Sequence, residues 1–288
     1  MRISVDKQII VIGAGRSGTN MLRDILVKIP SIDTWNCDEI NPIWKHGNKE
    51  KITDELIEKD ATEKVKKFIR REFNKIQKKT GASLIVEKTC ANSLRVPFVY
   101  SIFPEAKYLF IFRDGRDVVP SAMKRWSSKL DLKYTLKKLR YVPFVDLPYY
   151  VIRYGMNRVS RLFTNKERLS FWGPIYQGME KDIENHDLSY ICAKQWAICV
   201  EKSKKDMSVL PDQNVHTVYY EKFVKEPEEQ LESIVSFLEL SLSKQQISDF
   251  VSDVRVSSVG NYQDALSKSQ LDEIMPIMKD ALFLTGYE

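Results

Sequence analysis

The sequence predicts an α/β fold: a P-loop-containing parallel sheet flanked by helices, with a helical and aromatic insertion. Three observations predict it. Short apolar runs recur at 9–12, 83–87 and 107–112, each followed by apolar residues at helical spacing. A glycine-rich turn, Gly13-Ala14-Gly15-Arg16-Ser17-Gly18, joins the first run to its helix. A cation stands just beyond each strand end: Arg16, Lys88 and Arg113. Strands alternating with helices argue for right-handed βαβ units. Such sheets gather ligands at the carboxyl ends of their strands.

The first element is the β-branched run Ile9, Ile10, Val11 and Ile12, read as a buried strand. Three glycines then let the backbone turn tightly and approach a ligand. Met21, Leu22, Ile25, Leu26 and Ile29 follow at helical spacing. Strand, turn and helix form an anion site, because the first-turn N–H groups point outward and the helix dipole favours negative charge. Three phosphate-loop patterns fit in part. Gly13, Gly15 and Gly18 satisfy the dinucleotide fingerprint, with Asp38 or Glu39 about 20 residues on. Gly13 and Gly18 have the spacing of an ATP-type loop, but Thr19 stands where its lysine should follow. In the third pattern, Arg16-Ser17-Gly18-Thr19, the cation precedes the second glycine.

Pro30 ends the first helical pattern, and 31–48 reads as a long loop beside the phosphate site. Residues 62–79 form an amphipathic helix with Val65, Phe68, Ile69, Phe73 and Ile76 on one face and Gly81 as its stop. The second strand, 83–87, leads into Glu87-Lys88-Thr89, and 92–103 reads as one helix. The third, 107–112, leads into Arg113-Asp114-Gly115-Arg116-Asp117, with a helix over 118–126. About 128–190 the rhythm changes to aromatics and prolines, which predicts a lid or acceptor wall, or else a helical subdomain packing its own rings. A helix over 190–210, a strand over 215–220, a helix from Pro227 and two further helical patterns, the last about 269–284, close the chain. The organisation is read as one domain, 1–288.

Composition narrows the classes. The chain has 288 residues, 43% hydrophobic and 29% charged, as in ordinary globular proteins. No stretch reaches about 18 apolar residues, so no membrane span is expected. The chain runs almost at once into a strand and glycine loop, which argues against a signal peptide. The net charge of +6 is read mainly as solvated lysines, such as Lys64, Lys66 and Lys67, with the rest serving anionic ligands; no nucleic-acid partner is expected. Cys37, Cys90, Cys192 and Cys199 form no C-x-x-C pair, so no zinc or other metal site is expected. Cys192 and Cys199 share a helix face as buried thiols, and the cysteine usage implies a reducing, cytoplasmic setting.

Three segments carry a family resemblance. Arg16-Ser17-Gly18-Thr19, Glu87-Lys88-Thr89 and Phe112-Arg113-Asp114-Gly115-Arg116-Asp117-Val118-Val119-x-Ser121 together resemble the sulfotransferases that use PAPS (3′-phosphoadenosine-5′-phosphosulfate). Bacterial members and proteins similar to tyrosylprotein and glycosaminoglycan sulfotransferases are the nearest in pattern. Tyr219-Tyr220-Glu221, the Pro227 helix with Phe237-Leu238, Val259-Gly260 and Gly286-Tyr287 extend the resemblance over nearly the whole chain.

The resemblance implies a PAPS site and no metal. Gly15, Arg16, Ser17, Gly18, Thr19 and Asn20 would grip the 5′ end of the donor. Arg113 and Ser121 would hold its 3′-phosphate, with Arg125 assisting and Tyr220 near the nucleotide. Spacing agrees: eight residues is about two helical turns, so a strand-end guanidinium and a helical hydroxyl can close on one phosphate. Arg125 follows Ser121 by one turn on the same face. Arg16 and Lys88 are expected to stabilise charge during transfer, as in loose phosphoryl transfer. Glu39 matches the family's base, with Glu87 as second candidate and His46 as a further one. Arg116 reads as a surface partner of Asp114. Asn20 replaces a threonine common in the loop. Asn261 stands where relatives often carry a basic residue, and Ser257 or Ser258 could compensate.

The predicted function is transfer of the sulfuryl group to a hydroxyl or amine of a small molecule, with carbohydrate or lipid-linked acceptors suited to the aromatics of 141–176. Competing readings are a P-loop nucleotide kinase or phosphotransferase, a non-catalytic nucleotide- or glycan-binding protein, and a NAD-dependent dehydrogenase resting on glycine spacing alone. The oligomeric state is not legible.

Overall fold

The computed structural model describes residues 8–127, 141–148 and 172–287. Among them the sheet has five strands: β1 (Gln8–Ile12), β2 (Ile32–Asp33), β3 (Leu84–Lys88), β4 (Lys107–Phe112) and β5 (Val215–Tyr219). Their order is β2-β3-β1-β4-β5, and every pairing is parallel. The central registers are Val11↔Lys88 on one side of β1 and Ile12↔Phe110 on the other.

The helices are α1 (Thr19–Leu26), α2 (Asn41–Trp44), α3 (Glu63–Thr80), α4 (Val96–Ile102), α5 (Gly115–Trp126), α6 (Met179–Asn185), α7 (Leu188–Met207), α8 (Tyr220–Lys225), α9 (Pro227–Phe237), α10 (Lys244–Val251), α11 (Tyr262–Ala265) and α12 (Lys268–Thr285). Alternation along the strands splits the core in two. Ile10, Ile12, Ile85, Phe110 and Phe112 pack on one face with α3, α4, α5, α7 and α12. Ile9, Val11, Val86, Leu109 and Ile111 pack on the other with α1, α9 and α10. Strands buried on both faces read as continuous apolar runs, which is why β1 and β4 were legible.

Three expectations need correction. The loop read over 31–48 contains β2 and α2; β2 pairs Ile32 with Leu84 and Asp33 with Ile85. The single helix read over 92–103 is a 3₁₀ turn, Cys90–Leu94, then α4. Pro97 sits in the first turn of α4, where it has no backbone N–H to donate and its ring crowds the carbonyl four residues earlier, so one continuous helix cannot run through it. After α9 come three helices instead of two, the short α11 being the addition. The expected insertion over about 128–190 lies largely outside the described residues, and so do its aromatics Tyr149, Tyr150, Tyr154 and Phe171. No described helix is long and apolar enough to cross a membrane.

Candidate active site

In the sheet β1 lies between β3 and β4. The chain changes sides there, which opens a crevice at the carboxyl ends of these strands. A cavity of about 980 Å³ fills it, and Arg16, Lys88 and Arg113 all line its wall. The three strand-tip cations therefore share one space.

The glycine turn explains how the backbone reaches it. Gly18 precedes α1 with φ 88° and offers no side-chain cap. The first-turn amides of α1 are thus left without a capping side chain, as an anion site requires. A Cβ at Gly18 would lie 2.4 Å from the Tyr220 ring, so no larger residue fits without movement. Arg16 itself adopts φ 69°, a left-handed conformation that costs an L-residue roughly 1 kcal/mol or more. That turn delivers its Nε to Ser121 Oγ at 2.9 Å. Partial burial, then the nearby Arg113 and Arg125, hold the Arg16 pKa below the usual arginine value. Guanidiniums crowded in this way favour an anion between them.

Arg113 braces this wall. Its Nη1 donates to Arg16 O (3.0 Å) and its Nη2 to Ser258 O (2.5 Å). Its Cζ sits 4.3 Å from the Tyr220 ring centroid, a cation–π contact. The buried Nε has no partner among the described residues. Tyr220 Oη and Ser258 Oγ are 2.5 Å apart. Ser121, Arg125, Tyr220, Ser258 and Asn261 all line the cavity, whereas Ser257 does not. Arg116 pairs with Asp114 at 2.8 Å, as read from the sequence. Asp117 accepts from Gly260 N (2.7 Å) and Tyr262 N (3.0 Å), and so fastens the 257–262 loop beside the cavity.

The opposite wall holds Lys88 and Glu39. The buried Lys88 Nζ donates to Glu39 Oε1 at 3.1 Å, and Cys90 N approaches the same oxygen at 3.3 Å. Burial works to lower the Lys88 pKa, but the facing Glu39 carboxylate outweighs it and the pKa ends above the usual lysine value. The ammonium is therefore kept charged inside the protein. Gly15, Thr19 and Asn20 line the cavity too. Asn20 Oδ1 is buried without a partner among the described residues. Ser17 does not line it: its hydroxyl is buried without a partner among the described residues, and its backbone N–H donates to Ala14 O at 3.3 Å.

Glu87 does not fit its role as second base. It is 1% exposed and absent from the cavity wall. Neighbouring strand residues point to opposite faces, so Lys88 and Glu87 diverge. Thr89 Oγ1 donates to Glu87 Oε1 (2.5 Å) and Asn92 Nδ2 to Oε2 (3.0 Å). Thr89 also accepts from Ile40 N at 3.2 Å, so Glu87 supports the loop carrying Glu39. Burial raises the Glu87 pKa to about 7 despite these bonds. A carboxyl raised in the folded state stabilises fully below its unfolded value, near 4.5, and that contribution is lost as pH rises toward about 7. The melting temperature should fall by several degrees over that window, and Glu87→Gln should flatten the profile; calorimetric scans across pH check this. His46 lies elsewhere, its Nδ1 2.5 Å from Asp146 and its ring stacked on Phe68.

Trp172, one of the aromatics read from the sequence as suited to an acceptor, lines the cavity beside the loop: a Cβ on Gly15 would be 3.1 Å from its ring. Gln195 Nε2 holds that segment through Trp172 O (2.9 Å) and Pro174 O (2.8 Å). Lys124 was missed by sequence reasoning but was findable, because it follows Ser121 by three residues and shares its helix face.

Fold and site together define a parallel α/β protein whose central crevice gathers three cations beside an uncapped helix start. The pattern of the sulfotransferase family matches residues 8–169 and 150–244. Among solved structures, the sulfotransferase domain from the curacin biosynthetic pathway is similar at TM-score 0.56 and 14% identity, covering 99% of each chain. Sulfotransferase STF9 from Mycobacterium avium gives 0.55 and 12%, covering 97% of this chain and 76% of that one. A sulfotransferase from Alicyclobacillus acidocaldarius gives 0.52 and 15%, covering 96% and 93%. No curated protein sequence matches the chain. The chain belongs to the sulfotransferase family, and it is a sulfotransferase enzyme.

Proposed function

We propose that the protein uses PAPS as donor and sulfates a hydroxyl or amine of a carbohydrate or other small metabolite. The observation that carries this reading is the meeting of Arg16, Lys88 and Arg113, from three neighbouring strand tips, around one cavity at an uncapped helix start. When bound, PAPS supplies the sulfuryl group and leaves as 3′,5′-bisphosphoadenosine. The amides of residues 17–20 and the Arg16 guanidinium bind the 5′ end. Arg113, Ser121 and Arg125 bind the 3′-phosphate, and the unpartnered Arg113 Nε suits an anion there. Lys88 neutralises charge at the reacting centre. Glu39 accepts the acceptor's proton, its carboxylate oriented by Lys88 and Cys90 N. Tyr220 and Trp172 flank the site. The described cysteines are all free, which fits a reducing, cytoplasmic compartment. We assign the whole of 1–288 to one sulfotransferase domain.

Labelled PAPS offered with a panel of glycans, lipids and phenols tests the reading and identifies the acceptor. In parallel, 3′,5′-bisphosphoadenosine should raise the melting temperature in titration; a protein indifferent to it does not use this donor. Glu39→Gln should lower turnover by about 10²–10⁴-fold while leaving affinity for the bisphosphate within about threefold. A variant with unchanged turnover would remove Glu39 from the base role.

A further inference from the structure

Helix α3 carries eight cations and two acids, a net of +6 over its 18 residues. The whole chain has a formal charge of +6, so its remaining residues balance. A face kept charged only for solubility mixes both signs in pairs one turn apart. On α3 the acids are Glu63 and Glu72 alone, and Lys64, Lys67, Lys78 and Lys79 have no ionic partner among the described residues. A recess of about 360 Å³ along the helix is lined by Lys67, Arg70, Arg71, Asn74, Lys75 and Lys78. None of these residues lines the sulfotransferase cavity.

Apolar surface adjoins the cations. Arg71 and Lys75 also border a second cavity, of about 620 Å³, whose wall includes Trp35, Phe68, Ile76 and the turn 141–145. On that turn Phe144 is 88% and Val145 77% exposed. The turn is fixed: Asp146, 2% exposed, accepts from Lys49 Nζ (3.0 Å), bonds His46 Nδ1 (2.5 Å) and closes the backbone onto Pro143 O (2.8 Å). His46 stacks on Phe68 of α3, which ties the turn to the basic helix. Two large apolar side chains are thus displayed next to an unbalanced row of cations.

We propose that α3 and the turn 141–148 dock the protein on an anionic phospholipid surface, with Lys67, Lys78 and Lys79 at the phosphates and Phe144 and Val145 in the acyl boundary. Charge complementarity selects an anionic partner, and the protruding apolar pair selects lipid over a soluble polyanion, which has no use for it. Such docking would hold the enzyme by its surface without a spanning segment.

Vesicle co-sedimentation of the full chain tests this, comparing pure phosphatidylcholine with vesicles holding about 30 mol% phosphatidylglycerol. The protein should partition to the anionic vesicles only, and about 0.5 M salt should release it. Lys67→Glu/Lys78→Glu/Lys79→Glu should weaken partitioning by about 100-fold or more. Phe144→Ser/Val145→Ser should weaken it about tenfold. Both variants change exposed side chains, and unchanged circular dichroism and melting temperature certify their folding. Failure to bind anionic vesicles overturns the proposal, as does equal binding by the charge-reversed variant. Binding to dextran sulfate that needs the lysines, with the Phe144/Val145 variant behaving as the parent on vesicles, overturns it in favour of a soluble polyanion.

Discussion

Lys88→Met should cut turnover by about 10²–10³-fold, a loss of roughly 3–4 kcal/mol in transition-state stabilisation. The size follows from where the ammonium sits. It is buried at the tip of β3, charged, and held 3.1 Å from Glu39 on the wall shared with Arg16 and Arg113. Charge that develops in a water-poor site is stabilised far more by such a group than it would be in solvent. Removing it also takes away the ammonium that holds the Glu39 carboxylate at 3.1 Å. Affinity for 3′,5′-bisphosphoadenosine should fall less than about tenfold, because the loop amides, Arg16 and Arg113 remain. Lys88→Arg should not restore turnover, since a planar fork does not fit the place of a compact ammonium. Single-turnover rates with labelled PAPS, set beside calorimetric titration of the bisphosphate, separate the two quantities. Intact turnover with weakened binding would make Lys88 a binding residue only.

The parts of this site legible in the sequence are those with a local signature. β1 and β4 are apolar runs long enough to declare themselves, and the glycine turn after β1 has a chemical reason at Gly18 that the structure shows as contact with Tyr220. Placing Arg16, Lys88 and Arg113 just past three strand ends was sufficient to bring them together, because parallel sheets align those ends. What escaped lacks a period or acts over distance. β2 is two residues long and owes its existence to pairing with β3. Pro97 should have divided the helix read over 92–103. Glu87 looked like a candidate acid because it precedes Lys88, yet strand alternation sends it into the protein, where Thr89 and Asn92 take both its oxygens. Asp117 was read only as a charge beside Arg116. Its bonds to Gly260 and Tyr262 span about half the chain, and no local pattern encodes them.

Arg113→Ala should weaken 3′,5′-bisphosphoadenosine by about 10²–10³-fold and weaken adenosine 5′-phosphate, which lacks the 3′-phosphate, by less than about fivefold. The asymmetry is the point of the experiment. A donor with phosphate at two positions needs two anion pockets, and the glycine turn supplies only one. Arg113 stands at the end of β4, stacked on Tyr220, with its Nε unspent and Ser121 on the same wall. The alanine variant carries a structural risk, since Arg113 also donates to the carbonyls of Arg16 and Ser258. Losing those bonds would loosen the glycine turn and penalise both nucleotides alike. Two companions resolve this. Arg113→Lys keeps the charge but loses the fork, and should fall between parent and alanine for the bisphosphate. Ser121→Ala leaves the Arg113 braces in place and should reproduce the preference for losing the 3′-phosphorylated ligand at a smaller scale, about tenfold. Calorimetric titration of both nucleotides against all four proteins reads the result. Equal losses for the two ligands in Ser121→Ala as well as Arg113→Ala would place the 3′-phosphate elsewhere and break the link between the β4 tip and donor selectivity.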